Sequence, residues 1–107
     1  MKPIEFLGDS LERLRALPKA ARQRTGFQLD RLQRGLDPSD WKPLNVVGPG
    51  VRELRVRHES GAYRIIYFAG SKKALYVLHC YQKKTRATPK GAIERAAIRY
   101  REVTGSQ

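Results

Sequence analysis

The sequence predicts an α+β domain in which helices pack on one face of a small antiparallel sheet. Two periodicities predict it. Apolar residues recur at helical spacing in the first third of the chain and again near its end, whereas between them residues 51–58 alternate with period two and two further short segments are rich in Tyr, Ile, Phe, Leu and Val. A length of 107 residues fits one domain, so residues 1–107 are expected to fold as a single unit. The expected order of elements is β-α-α-β-β-β-α.

The N-terminal region is expected to form a short strand and a helical hairpin. Residues 3–7 alternate as in a strand, and Asp9 or Ser10 can cap the helix that follows. Pro18 ends that helix and can also start the next one, because the first turn of a helix does not need its missing N–H. The second helix is expected to reach about Gly35, a typical stop signal. Its apolar stripe consists of Ala21, Thr25, Leu29, Leu32 and Leu36.

The second half of the chain is expected to form a three-stranded meander and a last helix. Residues 37–50 hold three of the six prolines and are expected to be a loop. The strands are expected at 51–58, 62–69 and 74–81. Because only short turns separate them, neighbouring strands should be antiparallel. A basic loop over 82–88 then leads to a helix that Pro89 opens and that ends near Glu102.

Positive charge is the strongest signal in the composition. The chain has 22 basic and 10 acidic side chains, a net charge of +12. Residues 51–107 have 13 basic and four acidic side chains, net +9, whereas residues 1–50 reach only +3. Such an excess indicates an anionic partner, which is a nucleic acid, an acidic membrane surface or an acidic protein. A membrane is disfavoured, because no strongly amphipathic helix combines the basic residues with large apolar anchors.

Several classes of protein and site are excluded or disfavoured. The longest apolar runs have five residues, whereas a membrane-spanning helix needs about 20. The N-terminal residues lack the apolar segment of a signal peptide, which predicts a cytoplasmic protein. Cys80 is the sole cysteine, so no intramolecular disulfide is possible, and with two histidines a zinc site is disfavoured. No catalytic triad, carboxylate pair or phosphate-binding glycine loop is present, and no cofactor is predicted.

Three strand arginines are the first candidate anion ligands. Alternation places Arg55 and Arg57 on the same face of their strand, pointing to solvent if the aliphatic residues between them face the core. Arg64 lies on the next strand and shares its face with apolar side chains. An arginine in such surroundings needs a partner. That partner is expected to be a phosphate, with Glu53 as the competing structural alternative, whereas for Arg57 taken alone a merely solubilising role is favoured.

A second basic cluster begins where the third strand ends. It contains Lys83, Lys84, Arg86 and Lys90. Lysine and arginine both bind phosphate, and the start of the last helix adds backbone N–H donors. Tyr81 can stack on a base, or it can simply belong to the core. His79 is expected to be half-buried. Because this cluster and the strand arginines meet at one end of the sheet, an anion site is favoured over a solvated loop.

Three segments resemble a known family of proteins. Residues 50–55 (Gly-Val-Arg-Glu-Leu-Arg) and 61–67 (Gly-Ala-Tyr-Arg-Ile-Ile-Tyr) resemble the core of RelE/ParE-superfamily toxins. Residues 77–85, with Thr88-Pro89 and the helix that follows, are similar to the end of the HigB-like, phage-related branch. The resemblance covers nearly the whole chain. It implies a RelE-like fold, in which an N-terminal strand and helical hairpin pack on a small antiparallel sheet with a C-terminal helix.

The resemblance also implies an activity and partners. It implies the toxin of a type II toxin–antitoxin system, an mRNA interferase that cleaves mRNA in the ribosomal A site. The partners would be mRNA, ribosomal RNA and a helix-turn-helix antitoxin. The family's basic positions fall on Arg55, Arg64, Lys83 and Lys84, which become the predicted catalytic residues. The predicted RNA-binding residues are Arg57, His79, Tyr81, Arg86 and Lys90.

Two other functions remain open from the sequence. A ParE-like toxin on the same fold would inhibit DNA gyrase and would need no phosphate-binding centre. A basic nucleic-acid-binding module would carry no chemistry. The Tyr63-Arg64 pair and the Lys83-Lys84-Thr85 run favour a ribonuclease over both. Cleavage without a metal would require in-line attack by the ribose 2′-hydroxyl on the adjacent phosphate.

Overall fold

A computed structural model describes residues 1–105 of the chain. The strands in this range are β1 (Ile4–Phe6), β2 (Trp41–Pro43), β3 (Val51–His58), β4 (Gly61–Phe68) and β5 (Leu75–Lys83). The helices are α1 (Ser10–Arg15), α2 (Lys19–Gln33) and α3 (Lys90–Thr104). Together they form one mixed sheet with helices on it, which confirms the predicted α+β class and is compatible with a RelE-like fold.

The strands lie in the order β1-β5-β4-β3-β2. The predicted antiparallel meander of β3, β4 and β5 is confirmed, and Arg55 of β3 faces Arg64 of β4, which in turn faces Tyr81 of β5. The expectation of a wholly antiparallel sheet is wrong, because β1 pairs parallel with β5 through residues 4–6 and 75–77. Those residues are far apart in sequence, so local alternation contains no information on their direction.

The helices cover both faces of the sheet, not one as the sequence predicts. Ile65 and Ile66 are neighbours on β4 and are both fully buried, but they belong to different apolar clusters. The cluster of Ile65 includes side chains of α1 and α2, and that of Ile66 includes Ala92 and Ala96 of α3. A central strand that is apolar on both faces needs cover on both sides. Helical periodicity identifies a buried stripe but not the sheet face that it meets.

The predicted loop over residues 37–50 contains the short strand β2. Trp41 and Pro43 pair with Leu54 and Arg52 of β3, and β2 is the outermost strand of the sheet. Proline is tolerated at such an edge, where its missing N–H breaks no ladder bond. The guanidinium of Arg52 lies 4.0 Å from the centre of the Trp41 ring, a cation–π contact that fixes this strand.

The ends of several elements differ from prediction. α2 ends at Gln33, and Gly35 adopts a φ of +81°, so the chain turns before Leu36, whose side chain is exposed. Asp9 precedes α1, but its carboxylate binds arginine side chains and does not cap the helix. β5 continues to Lys83, so that residue lies on a strand and not in the basic loop. None of the helices of residues 1–105 has the length and apolar character required to span a bilayer.

Candidate functional site

The face of the sheet that α3 covers divides into two parts. Beside α3 it is apolar, and its buried side chains include Val51, Ile66 and Leu78. Toward the turn between β3 and β4 the same face becomes charged. We call this second part the polar patch and define it by Glu53, Arg55, Arg57, Arg64, Tyr81 and Lys83. Strand register places these residues in adjacent rows, because Arg57 and Lys83 both pair with Ala62 of β4.

Glu53 is the centre of the polar patch, and its side chain is fully buried. One carboxylate oxygen, Oε2, accepts hydrogen bonds from the Tyr81 hydroxyl at 2.9 Å and from the Thr88 hydroxyl at 3.1 Å. The other, Oε1, lies 3.5 Å from Arg64 Nε and 3.6 Å from Lys42 Nζ. One carboxylate therefore connects β2, β3, β4, β5 and the loop before α3.

Arg64 is the most deeply buried cation of the polar patch, with 4% of its surface exposed. Nη1 donates to the carbonyl oxygen of Tyr63 at 3.3 Å, whereas Nε faces Glu53 without hydrogen-bond geometry. Within residues 1–105, Nη2 makes no hydrogen bond. Burial lowers the pKa of Arg64, and the Glu53 carboxylate opposes that shift. The structure places Glu53, the alternative partner that the sequence offered, beside Arg64, and the cross-strand neighbours of Arg64 are Arg55 and Tyr81.

Lys83 lies on β5 in a partly buried position. Loss of hydration lowers the pKa of its ammonium group, and the positive charges of Arg64 and Lys42 lower it further. The other cations of the predicted basic cluster are exposed: Lys84, Arg86 and Lys90. Lys90 approaches Glu94 at 3.9 Å, an exposed pair of little strength. Lys84 and Arg86 form no ion pair within the described part of the chain.

The two arginines of β3 differ in their surroundings. Nε and Nη2 of Arg55 lie 2.9 Å and 2.8 Å from Oδ1 of Asp40, so this guanidinium is held by a carboxylate of the segment before β2. Arg57 has an exposed side chain, and its carbonyl oxygen accepts a hydrogen bond from Arg24. Arg57 is thus free to contact a ligand, whereas an anion at Arg55 would compete with Asp40.

His79 is 1% exposed, so it does not reach the surface where RNA would be contacted. Its ring stacks on Tyr81 with 5.9 Å between ring centres, and Nδ1 lies 3.4 Å from Arg99 Nη1. Burial lowers the pKa of His79 to about 4, with further lowering by Arg13 and Arg99, so the ring is neutral at pH 7. Burial also raises the pKa of Tyr81. His79 supports the Tyr81 ring from inside the fold.

The sequence did not predict the roles of Glu53 and Thr88 as a link across the site. Glu53 entered only as an alternative partner for Arg64, although it shares its strand face with Arg55 and Arg57. An acidic residue alternating with arginines on one face is a signal that could have identified it. Thr88 had no such signal, because the path of the loop before α3 depends on tertiary contacts. Within residues 1–105, no group of three His, Cys, Asp or Glu side chains is arranged to hold a metal ion.

A protein-family model matches most of the chain. The family model described as "Phage derived protein Gp49-like (DUF891)" matches residues 12–101, from α1 to α3. No curated protein matches the sequence significantly. The chain therefore belongs to the Gp49-like family, whose members are RelE/HigB-like toxins of toxin–antitoxin systems.

Proposed function

From its membership of this toxin family, we propose that the protein is a HigB-like mRNA interferase, an endoribonuclease that cleaves mRNA without a metal. The observation that best supports the proposal is the environment of the Arg64 side chain. Its guanidinium is almost fully buried, Nη2 makes no hydrogen bond within residues 1–105, and the cations Arg57 and Lys83 share its face of the sheet. Buried positive charge interacts strongly with a phosphate, because little water screens it.

The reaction is an in-line transfer at phosphorus. The ribose 2′-oxygen bonds to the adjacent phosphorus, the bond from phosphorus to the 5′-oxygen breaks, and the products are a 2′,3′-cyclic phosphate and a 5′-hydroxyl. Arg64 stabilises the charge that develops on the phosphoryl oxygens. One proton leaves the 2′-hydroxyl and one reaches the 5′-oxygen. Lys83, whose pKa is lowered, is suited to one of these transfers, and Lys84 is the neighbouring candidate for the other.

The exposed cations form the surface on which the RNA backbone would bind. Lys84, Arg86 and Lys90 follow β5 toward the start of α3, and Arg57 lies on the same side. Their charges are available to phosphates, because none of them is held by a buried carboxylate. Arg55 adds a positive charge to this surface while its guanidinium is paired with Asp40. Tyr81 offers ring surface, since its hydroxyl is engaged by Glu53, and buried His79 acts by supporting that ring.

Family membership implies an antitoxin partner. We propose that this antitoxin is a small helix-turn-helix protein that neutralises the toxin. The cellular substrate would be mRNA in the A site of the ribosome, with ribosomal RNA as the docking surface. The protein would then act in the cytoplasm, and the net charge of +12 would favour association with either RNA.

Mapping of RNA 5′ ends after induction tests the proposal. The wild type should generate new ends within codons, and Arg64→Lys should reduce their number at least about a hundredfold, because lysine lacks the planar guanidinium. Arg101→Lys, an equivalent change at an exposed position of α3, should leave cleavage intact. Co-purification with the antitoxin checks that each variant folds.

Three results would contradict the proposal. Growth arrest with DNA damage and intact mRNA would indicate a gyrase inhibitor. Absence of arrest and of cleavage by the purified wild type would indicate a binding module. Cleavage of an RNA whose 2′-hydroxyl is replaced by hydrogen at the cut site would exclude the 2′-hydroxyl mechanism.

A further inference from the structure

We infer that Glu53 is a positioning residue for RNA cleavage, which fixes the guanidinium of Arg64 and the loop before α3 in one arrangement. The inference rests on the proposed function. Glu53 itself touches no phosphate in this scheme. It acts through Arg64 on β4 and through Thr88, the residue next to the Pro89 that precedes α3.

Stability alone does not account for a carboxylate at this position. Burial of an ion pair is costly, and an apolar pair of similar volume is often equally stable or more so. A negative charge at the centre of an anion site also weakens its attraction for phosphate. Glu53 is fully buried and lies beside Arg64, so both costs apply to it. An acidic side chain at this point is explained if it orders the groups that bind the phosphate.

The carboxylate is itself held in one orientation. Its Oε2 accepts two hydroxyl hydrogen bonds, from Tyr81 on β5 and from Thr88 in the loop. These bonds come from two separate segments, β5 and the loop before α3, and leave Oε1 for the cations. The position of Oε1 is therefore set by groups that do not themselves bind it.

The guanidinium of Arg64 is oriented by one ion pair and one hydrogen bond. Nε lies 3.5 Å from Oε1 of Glu53, an ionic contact without hydrogen-bond geometry, and Nη1 donates to the Tyr63 carbonyl at 3.3 Å. A planar group held at two nitrogens has a defined orientation, so Nη2 is left as the donor for a phosphoryl oxygen. Without Glu53, the single bond to Tyr63 would leave the plane free to rotate.

The experiment measures cleavage, by purified Glu53→Gln protein, of an mRNA placed in the A site of purified ribosomes. Glutamine keeps the shape and removes the charge. We expect kcat to fall about a hundredfold, the typical cost of misplacing a catalytic group by about 1 Å. KM should stay equal or decrease, because loss of a negative charge favours RNA binding. A kcat equal to that of the wild type would overturn the inference, as would a rise in KM that accounts for the whole loss.

A double-mutant cycle with Arg64→Lys separates positioning from general destabilisation. If Glu53 acts through Arg64, the double variant should be about as slow as the slower single variant. A cycle that combines Glu53→Gln with Lys84→Ala is the matched control. In this cycle the two reductions in kcat should multiply. Multiplicative losses in the Arg64 cycle would overturn the inference.

Two further variants keep the inference testable if Glu53→Gln does not fold. Thr88→Val and Tyr81→Phe each remove one hydrogen bond to Oε2 and leave all charges in place. Each should lower kcat about tenfold with KM nearly unchanged, the size expected for one hydrogen bond to a charged group. Unchanged kcat in both would overturn the inference. If the wild type does not cleave, the proposed function is overturned. The variants of Glu53, Thr88 and Tyr81 test the inference only with a wild type that cleaves.

Discussion

The two faces of the central sheet are built from alternate residues of the same strands and differ in character. Under α1 and α2 the middle of the face is apolar, with Leu54, Val56 and Ile65 among its buried residues, and Arg52 and His58 lie only at the two ends of β3. Under α3 the apolar part ends at Ile66, and Glu53 and Arg64 follow it. One face therefore provides core alone, while the other combines core and a charged site. A chain of this size has limited core, so placing the site on half of one face leaves most of the sheet for packing.

The helices explain this difference. Two helices lie on the first face, whereas one helix lies on the second, and its fully buried contacts are the small residues Ala92 and Ala96. Small side chains bring α3 close to the sheet, and beyond the start of α3 the face is bordered by the basic loop. The charged residues lie where helix cover is lacking.

The largest expected effect tests whether both faces of the sheet are part of a packed hydrophobic core. Ile65→Ala and Ile66→Ala remove equally buried side chains from opposite faces, and each should lower the free energy of unfolding by about 2–5 kcal/mol. Urea denaturation of the two variants measures this. A cost below about 1 kcal/mol for Ile66→Ala alone would mean that the α3 face is not a packed core.

A second effect concerns buried His79 on the α3 side. In the folded protein the pKa of His79 is about 4, below the ordinary value of 6.5. Between pH 4 and pH 6.5, His79 is therefore protonated in the unfolded chain and neutral in the folded chain. Stability should therefore decrease as the pH falls from 6.5 to 4, by up to about 3 kcal/mol. Urea denaturation at several pH values tests this, with His79→Gln as the control that lacks the decrease. Asp9, with a pKa of about 2, loses its contribution only below pH 4.

The smallest effect compares the two ends of the sheet. Lys84 lies in the loop after β5, and Lys73 lies in the turn between β4 and β5, at the opposite end. Both are exposed. Lys84→Ala should reduce the slope of log affinity against log salt by about 0.7 for a 2′-deoxy RNA analogue, the value for one phosphate contact on a single strand. Lys73→Ala should leave the slope unchanged. Equal slopes for both variants would argue against a localised RNA path.

The sequence predicted the elements with strong local patterns. β3 was predicted with its observed bounds, because residues 51–58 alternate throughout. In α2, Ala21, Thr25, Leu29 and Leu32 are buried as predicted. β2 was missed, because three residues at an edge that include Pro43 carry no strand pattern. The parallel direction of β1 and the face that α3 covers depend on packing between distant segments, which periodicity does not encode.

For the candidate site, strand alternation correctly grouped Arg55 with Arg57 and placed Arg64 beside them. It also put Glu53 within reach of Arg64. It did not predict that Asp40 would engage Arg55, because Asp40 lies in the segment expected to be a loop. Nor did it predict that Glu53 would bind a hydroxyl from the loop before α3. Each of these contacts joins strands to loops whose paths are set by the finished fold. The catalytic and RNA-binding roles remain predictions.

The position of β5 has a consequence for synthesis of the protein. β5 lies between β1 and β4 in the sheet, and both α1 and α3 pack beside it. In a chain emerging from the ribosome, residues 75–83 follow all four of the other strands. Until they are made, β1 and α1 lack the strand that completes their packing. A nascent chain that ends before β5 has neither the complete sheet nor Lys83, so the polar patch forms only after β5 has been synthesised.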